Sequence, residues 1–194
     1  MQSPQRSTPP GSVERNYSDV RNQIRDGDVL MYQGKSLVSQ LIRLFTRSRY
    51  SHAGLAVWWK ERLMVMEAVG KGVIVTPLSA NVRHYDGNIE WFTCVDDIST
   101  ADRTRMIQFA QLELGKEYAT WKLFVFGILI LFKGKVEKRD KLKREKKLFC
   151  SYYVAEVYNA IGKDLKKNVS DRFMTPDDVA KSSLLKKMGV LKKG

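Results

Sequence analysis

Cysteine and histidine are scarce in this sequence, with two of each in 194 residues. Two cysteines cannot build a disulfide framework, so free thiols and a reducing compartment are expected. No pair of His or Cys has metal-ligand spacing, so neither a metal nor another cofactor is expected. Acidic side chains are also in deficit: 34 Lys and Arg face 21 Asp and Glu, for a formal net charge of +13. That surplus implies affinity for polyanions and says nothing about fold. Nucleic acid is disfavoured as a partner because no recognition motif accompanies the charge. Long apolar runs are missing too. The most apolar stretch, Leu123 to Phe132, would rise only about 15 Å as a helix, half of a bilayer core. Residues 1–22 lack the apolar core of a signal peptide and carry Pro4, Pro9, Pro10 and Gly11 among Ser and Thr. They are expected to form a disordered arm. A cytoplasmic protein, peripheral to a membrane at most, is the corresponding expectation.

The remaining residues, 23–194, suffice for one domain with its own core. Val29 to Tyr32, His52 to Trp59, Leu63 to Ala68, Val73 to Thr76 and Ile89 to Val95 read as strands of a meander. Leu37, Leu41, Ile42, Leu44 and Phe45 keep helical spacing over about 36–46. Ser99, with Asp102 three residues on, predicts a capped helix to about Leu114, stopped by Gly115. A helix opening at Cys150 should end near Ile161, before Gly162. Thr175-Pro176-Asp177-Asp178 marks another helix start. This order predicts an α+β fold, an antiparallel sheet packed against helices.

Cys150 lies in Phe149-Cys150-Ser151-Tyr152-Tyr153, the first turn of its helix. Unpaired backbone N–H groups and the positive end of the helix dipole favour thiolate there. His52 opens a strand, and an imidazole beside the thiol could take its proton. Glu67 is one carboxylate in an otherwise apolar strand; if the His52 and Leu63 strands pair as a hairpin, it could accept the second imidazole N–H. Oxyanion stabilisation would come from backbone N–H groups around Cys150 and Ser151. The plainer reading makes each an inert core or surface group, the reading preferred for Cys94, as a buried structural thiol, and for His84, as a surface group in a polar loop.

Six short motifs, taken in order, carry a resemblance. They are Gly27-Asp28-Val29, Ser51-His52-Ala53-Gly54-Leu55, Met66-Glu67-Ala68 with Gly72-Val73, Gly115-Lys116-Glu117-Tyr118, Phe149-Cys150-Ser151 and Thr175-Pro176-Asp177-Asp178. Together they resemble the circularly permuted NlpC-type papain-like cysteine hydrolases, with the lecithin:retinol acyltransferase-like enzymes as a more distant branch. The resemblance implies a permuted papain-like fold, Cys150 as nucleophile, His52 as base and Glu67 as third residue. It also implies a place near the site for Tyr118, as a hydroxyl donor to substrate or oxyanion. Many members carry Glu two residues after the cysteine, where this chain has Tyr152, a difference that bears on substrate choice.

The apolar stretch reads either as a buried helix or as the wall of an acyl-chain pocket or shallow membrane contact. The basic insertion that follows, about 133–147, holds nine basic and three acidic side chains, a net of +6. It reads either as a solvated segment or as a dock for anionic surfaces through Lys138, Arg139, Lys143 and Arg144. The expected activity is cleavage or transfer at an amide or ester carbonyl through a Cys thioester, on a lipid or a cell-wall peptide. The competing class is a non-catalytic module that binds anionic membranes.

Overall fold

The computed structural model describes residues 13–69, 72–116, 149–167 and 174–194. Seven strands form one sheet in the order β1-β7-β6-β2-β3-β4-β5. They are β1 Glu14–Asn16, β2 Val29–Gly34, β3 His52–Trp59, β4 Arg62–Val69, β5 Gly72–Pro77, β6 Gly87–Cys94 and β7 Leu185–Lys192. All neighbours pair antiparallel except β1 with β7. The helices are α1 Tyr17–Val20, α2 Leu37–Thr46, α3 Leu78–His84, α4 Thr100–Leu112, α5 Phe149–Asn159 and α6 Pro176–Ala180. The fold is α+β, as the element order predicts.

Side-chain alternation along the strands splits the core into two layers. Met31, Ala53, Leu55, Met66 and Ala68 share one layer with Val154, Val157 and Tyr158 of α5. Leu30, Tyr32, Ala56, Val65 and Leu78 share the other. Two buried hydroxyls tie α5 to its surroundings: Tyr153 donates to the Ala110 carbonyl (3.2 Å) and Tyr158 to that of Gly27 (2.9 Å). Gly162, at φ 72°, supplies the left-handed turn after α5.

Three sequence expectations change. The meander does not run on into β6, which pairs instead with β2 and β7. Within the arm expected over 1–22, Glu14–Asn16 pairs with β7 and Val20 is buried, so these residues belong to the fold. Residues 1–12 lie outside the described residues. His84 ends helix α3 rather than sitting in a loop, and it is exposed.

Candidate active site

Cys150 is the second residue of α5, buried at 4% exposure, so its Sγ meets the first turn of the helix. The β3–β4 ladder stops at the pair Leu55↔Met66, although both strands continue. In β3, Ala56 N–H donates to Asp28 of the β2 side, so odd-numbered amides point toward β4. Ala53 N–H is thereby left out of the ladder, and it donates to Cys150 instead.

His52 opens β3 directly opposite Tyr32 of β2, with ring centroids 5.3 Å apart. The turn that delivers it is held from several directions. Ser51 N–H donates to the Tyr32 carbonyl (2.8 Å), and Gly34 N–H donates to Ser51 Oγ (3.1 Å). Just upstream, the buried carboxylate of Glu90 accepts from Tyr50 Oη (2.6 Å), Arg49 (2.9 Å) and Lys187 (2.7 Å). Neutralising one buried carboxylate with two cations and a hydroxyl stiffens the entry to β3.

Glu67 lies diagonally across from His52 on β4, on the same face of the sheet. Its Oε2 is 2.7 Å from His52 Nε2. Gly54 lies beside them; a Cβ there would meet Val65 Cγ1 at 2.7 Å and Glu67 Cβ at 3.4 Å. The second carboxylate oxygen is not idle. Thr76 Oγ1 of β5 donates to Glu67 Oε1 (3.1 Å), and Asn81 of α3 adds a further bond. Asn81 Nδ2 in turn donates to the Tyr32 hydroxyl (2.9 Å).

The electrostatics follow from this arrangement. Burial disfavours the imidazolium of His52, but the charge and hydrogen bond of Cys150, then those of Glu67, more than offset it and push its pKa up to about 10. Burial raises the Cys150 thiol, yet His52, Ala53 N–H and Ser151 bring it below its ordinary value. Glu67 is likewise held below its ordinary value, burial being overcome by its bonds to His52, Thr76 and Asn81. Since Nε2 is engaged by Glu67, Nδ1 is the nitrogen left for the thiol. The three groups thus shift one another: the thiol and the carboxyl downward, the imidazole upward. Cys94 differs: burial raises its pKa, and no imidazole accompanies it among its described partners.

Ser151 is fully buried, its Oγ 3.9 Å from Cys150 Sγ, so its side chain faces the core and its backbone N–H is what the helix start offers. Tyr118, the apolar stretch 123–132, and Lys138, Arg139, Lys143 and Arg144 lie outside the described residues. Sequence patterns do not point to Thr76, Asn81 or Glu90; as single polar residues in strands or a short helix they carry no spacing signal. Among the described residues no three His, Cys, Asp or Glu side chains converge as a metal site. Both cysteines are free.

A sheet that presents His and Glu ahead of a helix-borne Cys defines a permuted papain-like cysteine-hydrolase class. The chain belongs to the family described as permuted papain-like amidase enzymes, YaeF/YiiX, C92 family, whose profile matches residues 23–126. That span includes His52 and Glu67 and ends before Cys150. The family supports a cysteine hydrolase-type activity for this chain. A solved structure, that of the metalloprotein YiiX from Escherichia coli O157:H7, shares the fold with a TM-score of 0.63 and 24% identity. The alignment covers 86% of this chain and 97% of that one. No curated protein matches the sequence.

Proposed function

We propose that the protein hydrolyses an amide bond, or transfers its acyl group, through a thioester on Cys150. The observation that carries this reading is His52, whose Nε2 is 2.7 Å from Glu67 and whose pKa is raised by the neighbouring Cys150 thiol. In the first step the Cys150 thiolate attacks the substrate carbonyl carbon. Backbone N–H groups at the start of α5 face the developing oxyanion. The His52 imidazolium gives its proton to the leaving nitrogen as the C–N bond breaks, and a thioester remains. Neutral His52 then takes a proton from water or another acceptor, which attacks the thioester and releases Cys150. Glu67 keeps the imidazole oriented throughout and does not itself transfer the proton.

The activated thiol favours this chemistry over a purely membrane-binding role, which has no use for a depressed thiol pKa. For the substrate, the sequence offers a net charge of +13 and an apolar stretch followed by a basic run. These support a lipid or a cell-wall peptide presented on an anionic surface, with Lys138, Arg139, Lys143 and Arg144 as the dock. The test is intact-mass detection of an acyl adduct on Cys150 after incubation with lipid and wall-peptide panels. An adduct that is absent from Cys150→Ala supports the reading. Substrate turnover that persists in Cys150→Ala overturns it.

A further inference from the structure

A second site lies at the far end of the sheet. A groove of about 760 Å³ runs between α1, α3 and the β3–β4 hairpin. Its volume is in the range that holds small-molecule ligands. Arg21, Arg62, Arg83, His84 and Lys193 line it together with the Tyr17 ring, and no lining side chain is acidic. Arg62 opens β4, and Glu67 is five residues further along the strand, about 17 Å away. None of Cys150, His52, Glu67, Thr76 and Asn81 lines the groove, so it rests on none of the catalytic reading.

Two features distinguish it from a merely basic surface. The first is that Arg21 is fixed in place. Its guanidinium lies 4.7 Å from the Trp58 ring centroid, donates to the Glu61 carbonyl and hydrogen-bonds Tyr17. A guanidinium packed this way is pre-organised, so less entropy is lost when it grips an anion. The second is that the groove's cations have no carboxylate partners among the described residues, whereas neighbouring Lys192 pairs with Glu14 at 3.1 Å. Gly194 also reaches the groove, beside Ser18. Gathering like charges around one concavity costs repulsion that an anion relieves. Arginine is the side chain suited to bidentate capture of phosphate.

We propose that this groove binds a phosphate-bearing ligand of at least two negative charges, either a free polyphosphate-type anion or a phospholipid headgroup. Calorimetric titration of the full chain with sodium pyrophosphate tests the free form. Sedimentation with phosphatidylcholine vesicles, with and without phosphatidic acid, tests the headgroup. The groove variant is Arg62→Gln/Arg83→Gln/Lys193→Gln, all exposed positions. The control, Arg47→Gln/Lys167→Gln/Lys186→Gln, removes the same charge elsewhere. The parent should bind pyrophosphate one to one, with affinity falling about tenfold or more in the groove variant and unchanged in the control. Groove-dependent vesicle binding without pyrophosphate binding assigns the headgroup. No binding in either arm, or equal weakening by the control, overturns the site. Should the triple variant not fold, Arg83→Gln alone replaces it: weaker binding by a smaller factor supports the site, and unchanged binding overturns it.

Discussion

Glu67 and His52 meet across two neighbouring strands just beyond their last ladder pair, Leu55↔Met66, beside Gly54, which has no side chain to crowd Glu67. The carboxylate oxygen reaches Nε2 at 2.7 Å, while the other oxygen is occupied by Thr76 at 3.1 Å. The pair is therefore built by sheet register rather than by nearness in sequence.

Enlarging Gly54 should break this arrangement. In Gly54→Ala the new methyl would press on Val65 Cγ1, 2.7 Å away, and crowd Glu67 Cβ at 3.4 Å. Destabilisation of about 1–3 kcal/mol is expected, with turnover falling more than the loss of folded protein explains. Thermal melts alongside turnover of the folded fraction check this. Full activity would mean that the His52–Glu67 spacing tolerates displacement.

Glu67→Gln keeps the shape and can still accept a hydrogen bond from His52. It should reduce turnover less than Cys150→Ala, which removes the nucleophile. It should also lower stability near neutral pH by on the order of 1–3 kcal/mol, as a charge-assisted bond is lost. The folded-state pKa of Glu67 lies below its ordinary value of 4.5. Its contribution is therefore present above 4.5 and is lost as pH falls through the folded value. Denaturant melts of parent and variant should converge in that acid range. A stability gap that persists at the lowest pH would assign the effect to packing instead.

How far the sequence anticipates this geometry depends on the kind of signal each residue leaves. Glu67 stands out because it interrupts an apolar strand, and the hairpin that pairs it with His52 follows from two adjacent strand patterns. The caps at Ser99 and Thr175 are legible from local chemistry, and both side chains accept the expected backbone N–H. Other parts leave little local trace. β7 reads Leu-Lys-Lys-Met-Gly-Val-Leu-Lys, where lysines and a glycine mask strand alternation, and it is fixed by pairing with β6 across a register shift. Helix α3 has no side-chain cap and a single buried residue, Leu78, so its apolar pattern is too weak to read. Thr76, Asn81 and Glu90 gain their roles only when the sheet order brings distant segments together. The donor from Ala53 is a backbone amide, which no residue identity reveals.

The basic run is expected to govern attachment to anionic surfaces. Reversing Lys138, Arg139, Lys143 and Arg144 to Glu should abolish pelleting with anionic liposomes at low salt, and parent pelleting should fade as salt rises. Alkylation of Cys150 should be unchanged in this variant. Undiminished pelleting would remove the run as the dock and favour a soluble peptide amide as substrate.

The pairing of Cys150 with His52 is tested most directly by the rate of iodoacetamide alkylation near pH 6.5, mapped to each cysteine. Both thiols are buried to a similar degree, at 4% exposure for Cys150 and 9% for Cys94, so a large rate difference reports ionisation rather than access. In the proposed ion pair the thiol ionises below its ordinary value, and His52 keeps its proton up to about 10. Cys150 should therefore label far faster than Cys94, and His52→Ala should slow it by on the order of tenfold or more while leaving Cys94 unaffected. Equal rates, faster labelling of Cys94, or a Cys150 rate indifferent to the loss of His52 would contradict the account.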